Sequence, residues 1–110
     1  MQYIISGKVV GGDEYGRKIG FPTINLEPDT KEFPASGVYA GEVVLDRKVY
    51  RAGIVIDPNN KIDAHLLNYN GDAYGKKATF KINKFLREYK KFATEKELIT
   101  QIKKDLQACR

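Results

Sequence analysis

Cysteine is nearly absent from this 110-residue chain, with Cys109 the only one. A single thiol can close no internal disulfide and build no thiolate zinc cluster, so a reducing, cytoplasmic location is the expectation. Tryptophan is missing, and histidine occurs once, as His65, so a histidine-based metal site is not expected. No apolar run approaches the roughly 20 residues of a membrane span, and no apolar signal region follows Met1. No membrane partner is expected. Acidic residues are the scarcer charge, 14 against 19 basic, for a net +5.

What is present is the apolar share of an ordinary globular protein. Hydrophobic residues make up 42% of the chain, enough to offset chain entropy, which excludes disorder as the state of the whole. The length fits one domain over residues 1–110. The basic surplus by itself invites a nucleic-acid reading. Its distribution argues otherwise: residues 1–75 hold 8 basic and 10 acidic residues, net −2, and residues 76–110 hold 11 and 4, net +7.

Residues 2–10 (QYIISGKVV) are rich in β-branched side chains and stop at Gly11-Gly12, which reads as a strand. Residues 12–20 carry too many glycines for an element and read as a loop. Residues 21–26 continue as a short extended piece, and Pro22, which donates no ladder bond, makes it an edge or a loop. Residues 27–36, with Pro28 and Pro34, read as a polar connection. Gly37–Leu45 and residues 49–56 form a hairpin through Asp46-Arg47-Lys48, Asp57-Pro58-Asn59-Asn60 is a turn, and residues 62–69 are a further strand. Residues 78–83 (ATFKIN) alternate at period 2 as a half-buried strand. Short strands with turn chemistry between them predict a small antiparallel barrel or sandwich. At the end, Thr94-Glu95-Lys96-Glu97 is a capping box, and Leu98, Ile99, Ile102 and Leu106 recur at helical spacing, which predicts one amphipathic C-terminal helix.

Several segments carry possible chemistry beside a plainer reading. The glycine-rich residues 11–20 would let backbone amides approach phosphates, with Arg17 and Lys18 as cations, yet they lack a Walker ending and a following helix, and a turn-rich loop explains them as well. Period 2 puts the Thr23 hydroxyl and the Asn25 amide on one side, where two hard neutral oxygens suit Mg²⁺; bonds to their own backbone in a turn are the plainer alternative. Asp63 and His65 share a strand face, an arrangement that serves acid–base work or a structural contact. Arg87 suits stacking on a planar ligand or pairing with an anion, and Phe92 suits a core position. The lysines from 76 to 91 read as a solvated face; an RNA patch would need exposed aromatics among them.

One ordered series joins these pieces. It runs Gly7-x-Val9, Gly12, Gly16-Arg17-x-Ile19-Gly20-Phe21-Pro22-Thr23-x-Asn25-Leu26, Gly37-Val38-Tyr39-Ala40-Gly41, His65-Leu66-Leu67 and Asp72-x-Tyr74-Gly75. It continues through Leu86-Arg87, Lys91-Phe92 and Leu98…Gln101-Ile102…Asp105. Over about residues 4–108 this series resembles riboflavin kinase, in particular the kinase module of bacterial bifunctional FAD synthetases.

The resemblance implies a mainly β fold: a six-stranded antiparallel Greek-key barrel with a C-terminal helix. It implies transfer of the ATP γ-phosphate to the ribityl 5′-hydroxyl of riboflavin, giving FMN and ADP, with Mg²⁺ as cofactor. Carried over residue by residue, Gly12 and Arg17 lie at the nucleotide phosphates, and Thr23 and Asn25 hold Mg²⁺ and phosphate. Arg87 and Phe92 border the flavin.

The chain departs from the pattern where the family's catalytic glutamate would stand, which here is Asp63, one methylene shorter. The loop before that block is reduced to residues 56–60, and Ile24 replaces an alanine and should face away from the metal. The adenylyltransferase domain of bacterial relatives has no counterpart in these residues, so the expectation is a stand-alone kinase or an excised domain. It would act as a monomer and hand FMN to a separate FMN adenylyltransferase. Two rival readings follow from the departures and the charge: a flavin- or nucleotide-binding module without catalysis, and a basic barrel for single-stranded nucleic acid.

Overall fold

The computed structural model describes residues 3–12, 23–67, 69, 73–91 and 93–108. These residues form strands β1 (Tyr3–Gly12), β2 (Thr23–Pro28), β3 (Gly37–Leu45), β4 (Lys48–Ile56), β5 (Ile62–Leu66) and β6 (Lys77–Arg87). Helix α1 (Glu95–Ala108) follows. All neighbouring strands run antiparallel and close into a barrel in the order β1-β2-β5-β4-β3-β6. Strands β3, β4 and β5 meander, and β2 returns to lie beside β5, which is a Greek key. The expected barrel is the one observed.

Period 2 builds the wall. Along β5, Ile62, Ala64 and Leu66 are buried and Asp63 and His65 are not fully so. The interior is filled by Ile5, Val43, Ile54, Ile62, Phe80 and their neighbours, each at most 1% exposed. Such a small barrel is a packed core with no room for a ligand. Function must therefore sit on the outer wall or the rims.

Five boundaries differ from the sequence reading: β5 ends at Leu66, short of the expected residue 69, and four others differ for physical reasons. Strand β1 does not stop at Gly11-Gly12: the register slips between Val9 and Gly11, and beyond this bulge Gly11 and Gly12 pair with Asn25 and Ile24. A bulge adds one residue and re-aims the strand, so a glycine pair here continues the ladder. Strand β2 is neither an edge nor a loop, because it pairs with β1 on one side and β5 on the other. It starts after Pro22 and takes in Glu27 and Pro28, so the polar connection is shorter than expected. The hairpin loop is only Asp46-Arg47, both left-handed (φ 52° and 65°), since Lys48 already pairs with Leu45. A two-residue loop with positive φ at both positions matches the strand twist.

Strand β6 extends to Arg87 through register shifts opposite Val38/Tyr39 and Ala40/Gly41. Those shifts break the alternation that ends at residue 83 in the sequence.

The capping box is present in part: the Glu97 amide donates to Thr94 Oγ1 at 3.2 Å. Helix α1 packs against β3 and β4. On β3 the outward-facing Val38 and Ala40 are buried as well, so this strand is apolar on both faces over that stretch.

Candidate active site

The β2–β5 ladder sets the central arrangement. Thr23 stands opposite His65, and Asn25 stands opposite Asp63. Directly opposed residues share a face, so these four side chains form one polar patch on the outer wall. Ile24 and Leu26, between them in sequence, are 5% exposed and belong to the core. Ile24 thus points away from the patch, as expected.

The patch is drier than its position suggests. Thr23 is the one buried polar residue among the described residues, at 5% exposure, and its Oγ1 lies 2.8 Å from His65 Nδ1. One carboxylate oxygen of Asp63 and the side-chain oxygen of Asn25 are both shut off from solvent. Asn25 Oδ1 has no hydrogen-bond partner among the described residues. A buried carbonyl oxygen left this way is destabilising by about 1–3 kcal/mol, which invites an explanation in a ligand. A neutral oxygen beside a second neutral oxygen, that of Thr23, suits Mg²⁺, which binds few protein oxygens and keeps waters and phosphate oxygens as its other ligands. The chain's residues therefore fit that ion.

Other expected site residues fall on both sides of this patch. Gly12 ends β1 beside Ile24, and Gly11 stands opposite Asn25, so the wall next to the patch is bare backbone. Arg17 and Phe92 lie outside the described residues. A single cross-strand row runs from Asn25 through Asp63, Val55 and Val38 to Arg87. Asp63 and Arg87 are three strand spacings apart, about 14 Å along the wall.

Arg87 is held fast at the far end. Its Nε and Nη2 donate to the two carboxylate oxygens of Asp105 at 3.1 and 2.9 Å, and Nη1 donates to the Glu88 carbonyl. Gln101 donates to the same carboxylate at 3.0 Å. This clamp of α1 to β6 was not foreseen, although Gln101 and Asp105 at i, i+4 on one helix face are a legible pair. The Thr23–His65 contact was also missed, because it depends on the register of strands 42 residues apart.

Comparison with known proteins bears on what such a wall does. The family model described as "Flavokinase: Riboflavin kinase" matches residues 1–110. The chain belongs to the riboflavin kinase family.

This riboflavin kinase family member is 39% identical over 111 residues to the bifunctional riboflavin kinase/FMN adenylyltransferase of Escherichia coli (strain K12). That alignment covers 94% of the chain and 36% of the relative, so the chain spans little more than a third of that protein. A crystal structure from Streptococcus pneumoniae, described as a macrolide-efflux protein, has a TM-score of 0.87 at 30% identity. It covers 97% of this chain and 38% of its own. Riboflavin kinase from Trypanosoma brucei has a TM-score of 0.71 at 23% identity, covering 99% of this chain and 75% of its own. That likeness concerns the fold.

Proposed function

We propose that this chain is a riboflavin kinase that transfers the γ-phosphate of ATP to the ribityl 5′-hydroxyl of riboflavin, giving FMN and ADP. The observation that carries this reading is the pairing of Asn25 with Asp63 beside Thr23, which joins a magnesium-suited oxygen pair to a carboxylate on one face. Asp63 accepts the hydroxyl proton as the oxygen attacks phosphorus. A positioned base of this kind contributes about 10²–10⁴-fold. Thr23 and Asn25 would hold Mg²⁺. When bound, the ion neutralises charge developing on the phosphate oxygens.

Gly12 and Arg17 act on the nucleotide phosphates, and the bare glycine backbone of β1 supports close approach there. The flavin lies along the row from Asp63 toward Arg87, and Phe92 is a further flavin-binding residue. Arg87 acts chiefly by holding α1, since its donors are engaged by Asp105 and Glu88. Most of the barrier reduction comes from holding the two substrates in line. Residues 1–110 act as one monomeric, cytoplasmic kinase domain.

The test is incubation with riboflavin, ATP and Mg²⁺, with FMN read by chromatography. Wild type is expected to form FMN, and Asp63→Asn to lose at least about 10²-fold in rate while keeping the wild-type unfolding midpoint. No FMN above the no-enzyme control, with either ATP or CTP, would sink the kinase. Flavin binding without turnover would favour the binding-module reading, which the shorter reach of Asp63 supports. Full activity in Asp63→Asn would remove Asp63 from the base role.

A further inference from the structure

The Thr23 hydroxyl is asked to do two things with one oxygen. It has one proton and two lone pairs, and only the lone pairs can face a cation. Thr23 is 5% exposed, so bulk water cannot orient that proton. Its Oγ1 lies 2.8 Å from Nδ1 of His65, across the β2–β5 ladder. On the other side of His65, β4 presents Gly53, a position with no side chain to crowd the ring.

A neutral imidazole has one acceptor nitrogen and one donor nitrogen. If Nδ1 carried the proton it would occupy one lone pair of Oγ1, and the hydroxyl proton would compete with the single remaining lone pair for the side away from the ring. If Nδ1 is the acceptor, the hydroxyl proton lies on the line to the ring and both lone pairs point away from it. The threonine side chain is stiff at χ1, so the contact with the ring constrains the direction of the oxygen.

We propose that His65 is a positioning residue whose Nδ1 accepts the Thr23 hydroxyl proton and so aims the Oγ1 lone pairs at the cation of a magnesium–nucleotide complex. This rests on the kinase reading for the identity of the cation. It assigns the only histidine to orienting a ligand of the ion, and leaves the proton transfer to Asp63. Residues that orient metal ligands in this way typically change metal affinity by about 10–100-fold when removed.

Two measurements on the full, untagged chain test it. The first is ¹⁵N NMR of the imidazole with the ring neutral, which needs no assignment because the chain has one histidine. The Nε2–H tautomer is expected; an Nδ1–H tautomer overturns the proposal without touching the kinase reading. The second is ADP binding by calorimetry with Mg²⁺ and with EDTA.

In His65→Leu the gain in ADP affinity given by Mg²⁺ should fall about 10–100-fold, while affinity in EDTA stays at the wild-type level. In His65→Asn, whose side-chain oxygen can accept from Thr23, most of the gain should return. An unchanged Mg²⁺ gain in the leucine variant, an equal loss in both variants, or no Mg²⁺ gain in wild type overturns the proposal. Failure of wild type to form FMN sinks the kinase reading alone. Should the leucine variant not fold, the tautomer decides.

Discussion

Asn25 pays for its place in the fold until something binds. Its Oδ1 is buried without a hydrogen-bond partner among the described residues, in a strand paired on both sides. Removing such a group relieves its desolvation, whereas removing a satisfied one would not. Asn25→Ala should therefore leave the ligand-free protein as stable as wild type, or more stable by up to about 1 kcal/mol, in urea unfolding. The same change should abolish the Mg²⁺-dependent part of ADP binding. A loss of ligand-free stability above about 2 kcal/mol would mean that the amide is satisfied and structural. Asp63 is its cross-strand partner. One of its carboxylate oxygens is buried as well.

At the scale of elements, the unit that matters is β2. A segment read as an edge or a loop is an inner strand, because it pairs with β5 on one side and, through the bulge after Val9, with β1 as far as Gly12 on the other. Close approach also needs Gly7: a Cβ there would overlap the carbonyl of Glu27 on β2. The other decisive join is that of α1 to β6. The Arg87–Asp105 pair is bidentate, and its side chains are 24% and 12% exposed. Such a forked pair is stronger than a surface contact. Arg87→Ala and Asp105→Ala should each destabilise by about 2 kcal/mol, and the double variant by little more than either. Each should raise the KM for riboflavin more than it lowers kcat, because the helix edge of the flavin row loosens. Additive losses in the double-mutant cycle would show that the two side chains act separately.

At the scale of the whole molecule, the charge and the closed wall have separate consequences. Within residues 76–110, net +7, β6 carries four basic residues and no acidic one, whereas α1 is neutral with three of each. The single helix of the described residues is not long and apolar enough to cross a membrane. Closure of the barrel makes stability a collective property with a pH signature at Tyr39. Its hydroxyl donates to the Ala35 carbonyl at 2.6 Å and its ring meets Phe85 edge-on at 5.4 Å.

Burial, with a smaller push from Tyr3, raises the Tyr39 phenol above the ordinary 10.0. The unfolded chain then ionises first, so this contribution is intact below the ordinary value and is lost as pH rises through the raised one. Stability of the wild type should fall as pH rises past the ordinary tyrosine value of 10.0. Tyr39→Phe should start about 1 kcal/mol lower and show a shallower alkaline fall. An identical fall in both would assign the alkaline limb to other groups.

Much of this was legible in sequence because it is local. Alternation in ATFKIN, the Asp57 turn and the Thr94 cap depend on residues within a few positions of one another, and each is present. The ordered motifs likewise pointed to the family and to Thr23, Asn25 and Asp63. Period 2 put Thr23 with Asn25, and Asp63 with His65, before any fold was known. Only tertiary structure decided that these two pairs face each other. A ladder register between strands about 40 residues apart is set by barrel closure and bulges, to which local pattern is blind. The same closure made β2 an inner strand, and the docking of α1 brought Asp105 to Arg87. Residue chemistry was thus written in the chain, and which chemistry meets which was settled by the sheet.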